Sequence, residues 1–171
     1  MKKLTPLDFR SLTEIRDQML VYIDEILNNE KLNEQFSASR FIEPLIGFLF
    51  SLIKDTKPQV GFADSIIKRL FYCPLLYTDQ LIYLFPFASK PVKEKIISFL
   101  VGIGFVYHVE VLFNLLGRKI TEEEIKTIAI KNFGSNDLFQ KSLMLADKYH
   151  PHIRNVLVEQ KNSWDNDYCL L

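Results

Sequence analysis

The chain has 171 residues, with Lys plus Arg equal to Asp plus Glu at 21 each, so it lacks the basic excess that a general nucleic-acid binder relies on. Its 48 % hydrophobic content and mean hydropathy of +0.04 exclude a disordered chain and suffice for a sizeable core in one domain. The 14 Phe and 7 Tyr imply a bulky core or an aromatic groove. Cys73 and Cys169 fit no metal or redox spacing and read as free thiols of a reducing compartment. The start "MKKLTPLDFRSLTE" lacks the apolar run of a secretory signal, and "DYCLL" is not a prenylation box. The expected location is cytoplasmic.

Thr5-Pro6-Leu7-Asp8 is a helix start, with Thr as N-cap and Pro in the first position. Leu12, Ile15, Met19, Ile23 and Ile26 then step by 3 or 4, which predicts an amphipathic helix over 6–29. A second helix is predicted over 40–54, with Pro44 in its first turn or at a kink. The segment 55–61, "DTKPQVG", resembles a linker but is too short to divide domains. Seven short helices follow, predicted at 63–73, 78–85, 91–102, 105–117, 122–133, 136–149 and 152–162. Pro74, Pro86, Gly117, Gly134 and Pro151 punctuate them, and Thr121 with Glu124 forms a capping box. Residues 163–171 are expected to be a flexible C-terminal tail unless Trp164 docks.

The run from Ile97 to Leu116 has the length of a membrane span. Gly102 and Gly104 interrupt it, and Glu110 would cost roughly 2.5–3.5 kcal/mol inside a bilayer. Tyr107, Glu110, Asn114 and Arg118 form one polar stripe, with Phe105, Val109, Leu112, Leu115 and Leu116 opposite. Two core-covering helices broken at the glycines are therefore expected, with no membrane span.

A faint step of 31 residues relates Ile66, Ile97 and Ile128, and likewise Leu81, Leu112 and Leu143. Tyr77, His108 and Phe139 follow it, as do Leu84, Leu115 and Ala146. The expected fold is all-α: a single-domain bundle of seven to nine mostly short helices over 1–162, with solenoid-like stacked hairpins as the alternative.

Chemistry-bearing patterns are sparse. His150-Pro151-His152 is the most metal-like cluster, but Pro151 should break the helix and turn the two rings apart, so no metal ligand is assigned. His108 falls opposite Glu110 on the apolar face and is expected in the core. Glu122, Glu123 and Glu124 are explained by the macrodipole of a helix start. The stretch "TEEEIKTIAIKNFGSNDLFQKSLML" has helix-turn-helix proportions but offers too few base-reading side chains for DNA. No nucleophile motif or phosphate loop occurs, so no catalytic residue and no cofactor is expected.

The resulting expectation is a non-enzymatic protein–protein interaction module: an adaptor, inhibitor, immunity-type or assembly protein, with homo-oligomerisation open. The alternative is an α-helical small-molecule or lipid binder using a Phe-rich interior pocket. The expected partner-binding row is Asp79, Glu110 and Lys141, each 31 apart, with Tyr83 and Asn114 one turn further along two of the helices.

Overall fold

A computed structural model describes residues 60–72 and 74–168, together with Glu14, Asp17, Gln18, Leu20, Val21, Asp24, Glu25 and Pro44. Among the described residues the fold is all-α, with seven α-helices, two 3₁₀ turns and no strand. The chain divides into two compact units, Met1–Ser89 and Lys90–Leu171. Cys73, Cys169 and most of the expected helices over 6–29 and 40–54 lie outside the described residues, but every described position among 14–25, and Pro44, is helical.

In the first unit, α1 spans Val60–Leu70 and α2 spans Thr78–Leu84, followed by a 3₁₀ turn at Phe85–Phe87. Ala63, Ile66, Ile67 and Leu70 recur at helical spacing and are buried on one face of α1. Leu81, Leu84 and Phe85 supply the matching buried surface from α2 and the turn. Arg69 on α1 pairs with Asp24 at 2.6 Å, and the Ser89 backbone N–H donates to Asp64 at 2.9 Å.

In the second unit, α3 spans Lys90–Gly102, α4 Val109–Leu116, α5 Glu122–Lys131 and α6 Asn136–Tyr149. A 3₁₀ turn at Pro151–Ile153 leads into α7, Arg154–Tyr168. Helix α3 packs on α4 and α5, α5 on α6, and α7 on both α5 and α6. The core they enclose includes Ile96, Ile97, Leu100, Leu112, Ile125, Ile128, Phe139, Leu143 and Leu157, all nearly solvent-free. Each such side chain contributes about 1.5–3 kcal/mol of transfer free energy. No helix of the described residues is long and apolar enough to cross a membrane.

The long apolar run breaks at its glycines, as expected. Gly104 takes a left-handed φ of 76°. Its N–H bonds the Val101 carbonyl at 3.0 Å, and the Phe105 N–H bonds Leu100 at 2.9 Å, which closes α3 with a Schellman motif. The buried Asn132 side chain donates to the Gly104 carbonyl at 2.7 Å and to the Ile128 carbonyl at 2.9 Å, locking this turn to the end of α5.

Three expectations need correction. Helix α4 begins at Val109 rather than 105, because His108 sits left-handed at φ 55° as its N-cap and starts the helix afresh. His108 is exposed at that cap, not packed in the core. Residues 163–168, expected in a flexible tail unless Trp164 docks, continue α7, and Trp164 does dock, leaning on Phe133 with ring centroids 6.1 Å apart. Of the four series at the 31-residue step, the two through Ile97 and Leu112 are buried throughout, whereas those through His108 and Leu115 are exposed at that middle member.

The two glycines that close α3 should respond in opposite directions. A Cβ on Gly104 would stand 2.6 Å from the Lys131 Cβ, at a φ that L-residues avoid. Gly104→Ala should therefore cost about 1–3 kcal/mol in urea unfolding. Gly102 is helical and meets nothing within 4 Å, so Gly102→Ala should be neutral or stabilise by up to about 1 kcal/mol. Similar losses in both variants would contradict the assigned turn.

Candidate functional site

Helix α4 is eight residues long and is closed at its C-terminal end. Gly117 is left-handed at φ 82°, its N–H bonding the Asn114 carbonyl, while the Arg118 N–H bonds Phe113 at 3.2 Å. Val109, Leu112, Phe113 and Leu116 bury the inner flank. The outer flank carries Glu110, Val111, Asn114 and Leu115. Val111 and Leu115 are one turn apart and 54 % and 47 % exposed, and Tyr107, just before the helix, is 46 % exposed. Leu115 was expected on the buried side. The helix is too short and its apolar surface too wide for the core to cover it all.

Charged pairs flank this apolar strip. Glu110 accepts from Lys148 of α6 at 2.8 Å, which raises the lysine's pKa. Lys141 of α6 pairs with Asp137 at 2.5 Å, donates to the Tyr107 hydroxyl at 3.3 Å and lies 4.7 Å from the Tyr107 ring centroid. Glu110 and the residue before α4, Tyr107, are thus each bridged to α6, the latter by Lys141, and Asn114 is exposed one turn along α4 from Glu110. Asp79 and Tyr83 belong to the first unit, where both are exposed one turn apart on α2.

Arg118, expected to extend the polar stripe, turns away because the helix ends before it. Its guanidinium takes both oxygens of Glu124, at 2.7 and 2.9 Å, and also Glu94 at 3.1 Å. It thereby ties α3 to the start of α5. Burial pushes the Glu124 carboxyl upward, but hydrogen bonds from Arg118 and from Thr121 outweigh it and hold the group below the usual carboxylate range. Thr121 and Glu124 complete the expected capping box, the Thr121 N–H donating to Glu124 at 2.8 Å.

The same helix start corrects the reading of the histidine pair. Pro151 opens a tight 3₁₀ turn instead of swinging the chain away, so the rings of His150 and His152 stand edge-to-face with centroids 6.0 Å apart. His150 is placed by its Nε2, 3.1 Å from the Ile120 carbonyl. His152 Nε2 lies 2.8 Å from a carboxylate oxygen of Glu122, whose other oxygen takes Lys126 at 2.6 Å. Lys126 and then His152 draw the Glu122 carboxyl down to about 2. One donor atom from each of Glu122, His150 and His152 lies within 4.8 Å of the other two. Asp147 and Tyr149, the neighbours noted in sequence, take other partners: Asp147 pairs with Arg154, and the Tyr149 ring lies 5.4 Å from the Lys148 ammonium. Sequence reasoning assigned Glu122 only to the helix dipole. The available signal was the α5–α6 hairpin, which returns the end of α6 to the start of α5.

No protein-family model, curated protein or solved structure matches this chain.

The outer flank of α4 should be dispensable for folding. Replacing Val111 and Leu115 together by Lys exchanges exposed side chains on a helix that tolerates Lys, so the unfolding free energy should move by no more than about 1 kcal/mol. Leu112→Ala on the inner flank should cost about 2–5 kcal/mol. A double variant as damaged as Leu112→Ala would show the outer flank to be core.

Proposed function

We propose that this chain is a non-enzymatic protein-recognition module and that the outer flank of α4 is its binding face. The observation that supports this reading is the exposure of Val111 and Leu115 beside Tyr107, on a helix whose other flank is buried. Apolar and aromatic anchors ringed by polar side chains are the usual anatomy of an interface. Glu110, Asn114 and Lys141 form the rim here. The charges of Glu110 and Lys141 are already paired within the chain, so a partner desolvating the strip does not strand either ion. Aliphatic surface of this kind complements an apolar stripe on another protein. An adaptor, an inhibitor, an immunity-type protein and an assembly protein would each use such a face.

A photo-crosslinking amino acid placed at Val111, in the cell that makes the protein, tests this. Irradiation should give a discrete adduct that is lost when Leu115→Lys is added. The same amino acid at Asn155, exposed at the start of α7, should give none. No adduct from position 111, or equal yields from both positions, would overturn the assigned face.

A further inference from the structure

We propose that Glu122, His150 and His152 form a binding site for one divalent transition-metal ion of the zinc class, which clips the start of α5 to the α6–α7 corner. The three donors come from separate structural positions: the first residue of α5, the residue that ends α6, and the 3₁₀ turn before α7. Their donor atoms already converge to within 4.8 Å of one another. Tetrahedral donors at about 2.0–2.1 Å from a zinc ion stand about 3.3 Å apart. The gaps must therefore close by at most about 1.5 Å, and the 2.8 Å Glu122–His152 contact must open by about 0.5 Å. His152, with a side chain 66 % exposed, has room to open its contact with Glu122.

The surrounding hydrogen bonds already sort the donor atoms. A carbonyl only accepts, so the Nε2 of neutral His150 must carry its proton toward Ile120. The lone pair then rests on Nδ1, which the proposal assigns to the metal, with the ring oriented through its second nitrogen. Lys126 occupies one oxygen of Glu122 and leaves the other, now facing His152, for the ion. Binding would replace the direct Glu122–His152 contact with two bonds to the metal. Two imidazoles and one carboxylate suit zinc and its first-row neighbours, whereas magnesium and calcium favour oxygen-only shells. The exposure of His152 leaves water able to fill a fourth position.

The test uses the full chain without a polyhistidine tag, stripped of metal, titrated calorimetrically with zinc chloride near neutral pH. The wild type should take up one zinc ion per chain with a rise in melting temperature, while magnesium chloride gives neither. Glu122→Gln and His152→Ala should each weaken zinc binding by about tenfold or more. Glu123→Gln, one residue away on a side chain 83 % exposed and in only a 3.4 Å contact with Lys126, should bind as the wild type does. Circular dichroism of the metal-free variants checks folding, and Glu122→Gln, nearly isosteric, carries the comparison if His152→Ala is misfolded. Absence of a saturable one-to-one event in the wild type, or wild-type affinity in a folded Glu122→Gln, would overturn the site. The α4 face plays no part in this measurement, so its outcome is independent of the recognition reading.

Discussion

The second unit is organised by how the four residues before α5 and its first turn satisfy their polar groups. A helix start exposes backbone N–H groups that need acceptors. Thr121 and Glu124 meet part of that need reciprocally, and the same Glu124 receives the guanidinium of Arg118. Arg118 in turn reaches Glu94 on α3. One buried-side carboxylate thus caps its own helix and, through Arg118, ties it to α3. Immediately upstream, the Ile120 side chain is buried and its carbonyl holds His150. The start of α5 therefore dictates the position of α3 on one side and of the α6–α7 corner on the other. Loss of Arg118 would leave Glu124 partly buried without its cation, the costly way to break such a group.

The opposite end of α5 is fixed by a second polar contact. Asn132 is buried, and its amide bridges the carbonyls of Gly104 and Ile128. Without it, the Gly104 carbonyl would lose its partner from α5, in a turn already committed to a left-handed residue. The two locks hold α5 at both ends, and α3, α6 and α7 pack around it. Helix α4 is joined to this framework by α3 and by the Lys148–Glu110 bridge, which leaves its outer flank uncovered. The exposed strip and the histidine cluster are consequences of one packing arrangement: a short fourth helix whose outer flank stays exposed, and a return helix that runs just past the start of its partner.

Much of this was legible from residue pattern. Helical periodicity and Gly or Pro punctuation located the helices of the second unit, and α6 falls at 136–149 as expected. The capping box at Thr121 was readable because its chemistry is local, three residues apart. The apolar run from Ile97 resolved into two helices because Gly104 is left-handed, a constraint that glycine signals in sequence. His108 was misplaced because a left-handed histidine carries no comparable signal, and a helix drawn from 105 gives its successors the wrong context. Leu115 was misjudged because periodicity treats every apolar residue as inward-facing, whereas real surfaces keep many of them exposed. The convergence of Glu122 with His150 and His152 depends on a contact across about 30 residues, set by the relative lengths of α5 and α6. With 10 and 14 residues, the returning helix overshoots its partner by roughly 6 Å, enough to carry its end past Thr121.

If the start of α5 positions the α6–α7 corner, the His150 ring must be immobilised by the Ile120 carbonyl, with its proton on Nε2. Long-range nitrogen–proton NMR correlations of the histidine rings in the metal-free protein read this directly. The account predicts that, in its neutral form, His150 is a single Nε2–H tautomer whose ring proton is protected from exchange with water. A ring protonated at Nδ1, or one averaging between tautomers and exchanging freely, would contradict it.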